Sequence, residues 1–311
     1  MTQLSTSGAR VIDPILSTVA QGYQNSELVG SAVFPIVSVG QRAGKIIQFG
    51  KESFMAYETA RAPGSAVKRI TTGYGSLSYG ITDHALSAVV PIELQEEAQA
   101  VPGISLASAA VRTVQDILRL RLEVEQATLA TTAGGYSASN KITLSTTQWS
   151  DSAASDPIAD IEIAKEAIRA STGKRPNTIV MGPAVFKSLR QHTKILDRIK
   201  YTGRDVPTTE LLAMLFGVSK VLVGDAIKSS DTGTFSDVWG KFVVVCYTEQ
   251  SGMADLGRPT FGYTYQLAGY PFVEQPYYDN STRSWLYDVA DAVRPVIAAP
   301  LAGYLITAAV A

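Results

Sequence analysis

The sequence predicts an α+β fold built along one long helix, and three observations predict it. The stretch from Ser105 to Ala133, SLASAAVRTVQDILRLRLEVEQATLATTA, contains no Gly or Pro and is dominated by Ala, Leu, Arg, Glu and Gln, all good helix formers. From Pro157 to Gln250, apolar strand-like runs alternate with helical patterns, the order of a small domain with helices laid against a sheet. Between Arg258 and Ala311, aromatic residues recur with period two, the pattern of long antiparallel strands.

Composition narrows the class. A chain of 311 residues has room for two domains or one large one. The formal net charge is −1, so overall charge carries no nucleic-acid or membrane signature. Charged residues make up only 18%, and Ala, Thr, Ser and Gly are plentiful; such a surface suits packing against other copies. The single cysteine, Cys246, lies in the apolar run FVVVCY, which excludes an intrachain disulfide, fits a reducing compartment and reads as a small buried hydrophobe. MTQLSTSGAR has no signal-peptide pattern. The uncharged tail PVIAAPLAGYLITAAVA is too short for a membrane anchor and is interrupted by Pro295, Pro300 and Gly303.

Taken in order, residues 1–10 read as disordered. Asp13-Pro14 opens a short helix, ended by Gly22 or Gly30, and Phe34-Pro35 leads into an extended stretch. This arm has no amphipathic partner of its own. KIIQF, SFMAYE and SLSYGI are β-like runs, and between them lies the polar, glycine-rich ETARAPGSAVKRITTGYG. From Gln41 to Thr72 the bases Arg42, Lys45, Lys51, Arg61, Lys68 and Arg69 face only Glu52 and Glu58. A long two-stranded excursion with so little to bury is not stable alone, so it reads as a basic hairpin ordered by a neighbouring subunit. VVPIELQEEAQAVPG reconnects it to the helix; its acids Glu93, Glu96 and Glu97 are a solvated face or the acceptor for the basic hairpin.

The long helix comes next, capped by Ser105 and stopped by Gly134-Gly135. Val111, Val114, Leu118, Leu122 and Leu129 draw an apolar stripe, while Arg112–Asp116, Arg119–Glu123 and Arg121–Glu125 set alternating charge on a wet face. At 1.5 Å per residue it is a rod of roughly 40 Å, longer than a compact core needs and better suited to a spine. NKITLS is a strand. PIADIEIAKEAIRASTG is a helix begun by Asp156-Pro157 and closed by Gly173, with Ile158, Ile161, Ala164 or Lys165, and Ile168 inward. NTIVMG is a strand, PAVFKSLRQHTKILDRIK and TTELLAMLFG are helices, and KVLVGDA and KFVVVCYT are strands. The aromatic run then returns through a turn at Asp279-Asn280 to pack on the spine.

Catalytic and cofactor chemistry find no support in the residues. His84 and His192 lack a nucleophile motif and read as surface or structural. One Cys and two His cannot build a structural zinc site. GYGSLSYG lacks the Lys-Ser/Thr pair of a phosphate loop, and GKRPNT is a helix-to-strand turn. Trp239 in DVWGKFVV reads as core or turn packing. The sequence therefore predicts no catalytic, cofactor or metal residues. Its candidate contacts are inter-subunit: Arg42, Lys45, Lys51, Arg61, Lys68, Arg69, Glu93, Glu96 and Glu97.

Three segments together carry a resemblance: DPILSTVAQGYQNSELVGSAVFPIVSV, AGKIIQFGKESF and DPIADIEIAKEAIRASTGKRPNTIVMGPAVFKSLRQH. Their order resembles the major capsid proteins of tailed bacteriophages, with the Hong Kong 97-type fold shared with encapsulins, and is most similar to the family E group. The resemblance implies an N-terminal arm at 1–40, an extended loop at 41–90, and a peripheral domain at 91–156 with its spine at 105–133. It further implies an axial domain at 157–257 and return strands of the peripheral domain at 258–311. It implies a non-enzymatic subunit of an icosahedral shell, forming pentamers and hexamers around double-stranded DNA, located in the virion and assembled in the bacterial cytoplasm. Implied partners are further copies of itself, separate scaffolding, portal and decoration proteins, and non-specific contact with DNA, with no membrane. An encapsulin-like compartment is the alternative. In one branch of the fold a loop Lys is joined covalently to an Asn; Lys45, Lys51 or Lys68 could supply the amine and Asn280 the amide, but the surrounding motif is not matched.

Overall fold

The computed structural model describes residues 28–48, 60, 75–99, 105–200, 207–249 and 260–311. Along the chain these residues form α1 (Gly30–Val33), β1 (Ile36–Val39), β2 (Ala43–Gln48), β3 (Gly75–Gly80), β4 (Thr82–Pro91), α2 (Ile92–Gln99) and the spine α3 (Leu106–Thr131). There follow β5 (Lys141–Thr143), α4 (Pro157–Thr172), β6 (Thr178–Met181), α5 (Pro183–Gln191), α6 (Thr193–Ile199), α7 (Thr209–Phe216), β7 (Lys220–Val223), β8 (Ile227–Ser229), β9 (Phe235–Asp237) and β10 (Val243–Cys246). Last come β11 (Gly262–Leu267), β12 (Phe272–Val273), β13 (Tyr277–Asp279), β14 (Ser284–Ile297) and β15 (Gly303–Thr307).

The spine is a 26-residue helix, one residue inside the predicted start and two inside the predicted end. Ser105 caps it, its hydroxyl accepting from the Ser108 amide at 3.3 Å. Val111 and Val114 are buried against Val90, Val273, Tyr287 and Val289, so the first half of the spine lies on β4 and β14 as the apolar stripe predicts. Leu118 and Leu129 are only partly buried. The second half turns a different face inward: Leu122, Glu123, Gln126, Ala127 and Ala130 are buried.

Two sheets flank the spine. The first runs β1-β11-β14-β12, with β13 and β4 also paired to β14. The 14-residue β14 is its axis, antiparallel to β4 along Ser284–Val293 and to β11 along Val293–Ile297. The second sheet runs β5-β15-β10-β6-β7, with β10 antiparallel to both β15 and β6. Every residue of β6 and β10 is buried, because α4 to α7 cover one face and the spine end covers the other. Capping makes these helices sharp. Asp156 accepts from the Ala159 amide at 3.2 Å with Pro157 in the first turn, and Gly173 ends α4 at φ +67°.

Two expectations change. The predicted single helix 183–200 breaks at His192, whose backbone is extended (φ −73°, ψ 124°). His192 is buried there, with Nε2 2.9 Å from the Ser155 hydroxyl, and this tertiary bond outweighs local helix continuation. Residues 258–311 also do not return as one unit. β11 to β14 join the spine's sheet, but β15 enters the second sheet between β10 and β5. Four of its five residues are buried, so GYLIT gains more as an interior strand than at an edge. β5 lies in the same second sheet.

Candidate functional site

For a protein whose limbs matter, the functional positions are the roots of those limbs. The arm is rooted at a buried carboxylate. Glu123, 2% exposed, accepts from the amides of Val29 at 3.1 Å and Gly30 at 3.0 and 2.9 Å, and from the Trp239 indole N–H at 2.7 Å. One side chain of the spine thus ties together the arm and the turn leading into β10. Beside it, Gln126 donates to the Thr264 hydroxyl at 2.8 Å, and Thr264 donates to the Phe34 carbonyl at 3.1 Å. Arm, spine and first sheet are therefore stitched by one buried polar chain, over a core of Val33, Phe34, Tyr136 and Phe261. Gly30 is required: a Cβ there would lie 2.1 Å from Gln126 Oε1 and 2.7 Å from Glu123 Oε2.

Burial raises the Glu123 carboxyl above its ordinary range, while the Trp239, Gly30 and Val29 donors pull it back only in part. The expected Arg119–Glu123 pair on a wet face is thereby corrected: Glu123 faces inward, since four converging N–H contacts satisfy it there. Arg121–Glu125 does form, at 3.0 Å, and Arg294 on β14 reaches the other Glu125 oxygen at 3.1 Å. Trp239 is core, as the sequence predicts, with no exposed surface. The signal for Glu123 was present but subtle. It stands four residues before Ala127 and seven before Ala130, on the face those small residues press inward.

The extended loop is rooted by aromatic stacking. β2 and β3 form a two-stranded antiparallel sheet, with Gly44 opposite Tyr79. The Tyr79 ring lies flat on Tyr265 of β11, centroids 4.2 Å apart and planes 12° apart. A Cβ on Gly44 would sit 2.8 Å from the Tyr79 ring, so only glycine leaves room for it. At the hairpin base Arg42 pairs with Asp83 and donates to the Tyr270 hydroxyl at 3.3 Å. Burial pushes the Tyr265 phenol up to about 12, so it stays neutral in the stack.

The predicted contact residues are distributed as follows. Arg42 is engaged within its own chain. Lys45 is exposed on β2. Glu93 lies on α2, 3.7 Å from Arg283, a weak exposed pair, and Glu96 is exposed on the same helix. Glu97 belongs to α2, whereas Lys51, Arg61, Lys68 and Arg69 lie outside the described residues, as do the predicted arm helix at Asp13 and the run SFMAYE. Asn280 is exposed in the turn between β13 and β14. Of the two histidines, His84 sits on β4 opposite Asp291, and His192 forms the sealed pair with Ser155, 1% and 0% exposed. The contact ties the break between α5 and α6 to the loop ahead of α4.

Two sheets flanking a long spine, with residues 28–34 and the β2–β3 hairpin anchored to them, make the α+β architecture of the Hong Kong 97-type fold. The family model of phage major capsid protein E matches residues 135–250. The major capsid protein of Burkholderia phage BcepMu is 36% identical over 305 residues, 97% of each chain. A phage-related protein of Bordetella bronchiseptica RB50 is 42% identical, with a TM-score of 0.82 over 97% of this chain and 98% of that one. The capsid of Cyanophage P-SCSP1u shares the fold at 9% identity, with a TM-score of 0.55 over 88% and 86% of the two chains. The chain belongs to the phage major capsid proteins: it is a structural subunit that assembles with copies of itself into the capsid of a virion.

Proposed function

We propose that this subunit forms the pentamers and hexamers of an icosahedral tailed-phage shell that encloses double-stranded DNA, and that it catalyses no reaction. The observation carrying this reading is the 36% identity to a phage major capsid protein along nearly the whole of both chains. In this reading the chain ahead of Val29 lies along a neighbour and the excursion between β2 and β3 reaches over one, while residues 29–39 and 82–91 are built into the subunit's own sheet and core. Lys45 and the bases at 51, 61, 68 and 69 meet acids of an adjacent copy, among them Glu93, Glu96 and Glu97. Residues 157–257, joined by β5 and β15 in the second sheet, gather about the capsomer axes, while the spine and the first sheet form the periphery. The near-neutral net charge avoids repulsion among packed copies and avoids a tight grip on the packaged duplex. Assembly takes place in the host cytoplasm.

Electron microscopy of the purified full chain tests the proposal. The expected products are rings of five or six and closed hollow shells. A chain that stays monomeric at high concentration, with and without the phage's scaffolding protein, refutes it. Particles isolated from infected cells should contain DNA; an enzyme cargo in its place would favour the encapsulin-like reading.

A further inference from the structure

One element of the α/β body has no packing function of its own. β8 and β9 form a two-stranded hairpin, and all six strand residues are exposed, Ile227 at 52% and Phe235 at 69%. Such a hairpin has no core of its own and is marginal in water. Yet it is carefully built. Its root is pinned by the Val238 amide donating to the Ala226 carbonyl at 2.9 Å, next to buried Trp239. Its tip is closed by the Ser230 amide donating to the Thr234 carbonyl at 2.9 Å, by a 2.8 Å contact between the Ser230 and Thr232 hydroxyls, and by Gly233 at φ +78°. A rigid element that spends no side chain on its own body is preorganised for contact elsewhere.

The register says what kind of contact. Ile227 stands opposite Asp237 and Ser229 opposite Phe235, so these four share one face; Lys228, opposite Ser236, lies on the other. One face is apolar and acidic and the other basic. Among the described residues neither Lys228 nor Asp237 has an ion-pair partner. A face-to-same-face contact would set Asp237 against Asp237, which repels. A contact of one face with the opposite face of the next copy sets Lys228 against Asp237 and covers Ile227 and Phe235. Repeated in one sense, that head-to-tail contact builds a ring where the rotation between successive copies closes.

We propose that the hairpin Ile227–Asp237 is a head-to-tail contact between copies of this chain, with Lys228 of one subunit against the Asp237 face of the next. The proposal rests on the shell reading above and assigns it one surface. The test uses the full chain with Lys228→Asp, Asp237→Lys, and both together, scored by sedimentation and electron microscopy at low and high salt. Thermal unfolding of each unassembled subunit should be nearly unchanged, because these side chains are exposed and form no ion pair among the described residues. Each single reversal should cut the yield of rings and shells roughly tenfold or more at low salt, a small loss per contact being multiplied around a closed ring. The double reversal should restore it. Phe235→Ser should lower the yield at every salt concentration. Single reversals that assemble like wild type, or a double reversal as impaired as the singles, overturn the contact. Wild-type subunits that form no rings at all overturn the shell reading, and this contact with it.

Discussion

Replacing Glu123 with Ala should cost about 4 kcal/mol of subunit stability. The substitution strands three buried donors, the amides of Val29 and Gly30 and the Trp239 indole N–H, that now converge on one carboxylate. A buried donor left without an acceptor costs about 1–3 kcal/mol, and removing one partner of a buried charged contact costs about 3–5. Glu123→Gln should cost far less, about 1 kcal/mol, because an amide oxygen placed at Oε1 keeps all three donors. Urea unfolding of the purified, unassembled subunit measures both. Hydrogen exchange at the Gly30 amide and the Trp239 indole should quicken in the Ala variant before other sites do. The pH dependence has a definite sign. Burial raises the Glu123 pKa in the folded chain above its ordinary value of 4.5. Its contribution is therefore fully present below that value and is lost as pH rises through the higher folded pKa. The Gln variant should lack this dependence. An Ala variant within about 1 kcal/mol of wild type, at an unchanged denaturant slope, would show that the carboxylate does not hold the arm.

Other tests address the loop root, His192 and Cys246. Gly44→Val should drive Tyr79 off Tyr265, losing an aromatic pair worth about 0.5–1.5 kcal/mol; the body should still fold, but particles seen by electron microscopy should be fewer and misshapen. Deleting residues 56–72 should likewise leave a folded subunit whose shells fail to close or melt at lower temperature. Burial, aided by Lys194, lowers the His192 pKa below 6.5, so its contribution holds above that pH and is lost as pH falls through the lower folded value. His192→Gln should flatten the loss of thermal stability on acidification. Cys246 is fully buried and its thiol is raised by burial, so a thiol reagent should modify it only after unfolding.

Much of the architecture is legible in the residues alone, because local chemistry decides it. Ser105, Asp156-Pro157, Gly173 and Gly217 mark helix ends through backbone donors, acceptors and φ values that act within one turn. Val111 and Val114 point to the first sheet because three-residue spacing puts them on one face. The alternation of Phe261, Tyr263 and Tyr265 yields β11 for the same kind of reason. What escapes such reading depends on partners far along the chain. Glu123 looks solvated next to Arg119, and it is buried only because residues 29, 30 and 239, about a hundred positions away on either side, bring their N–H groups to it. His192 breaks a helix for the sake of Ser155, 37 residues earlier. The final strand joins the second sheet although its sequence would suit either, because there Tyr304, Leu305 and Ile306 are buried between β10 and β5 against residues far along the chain.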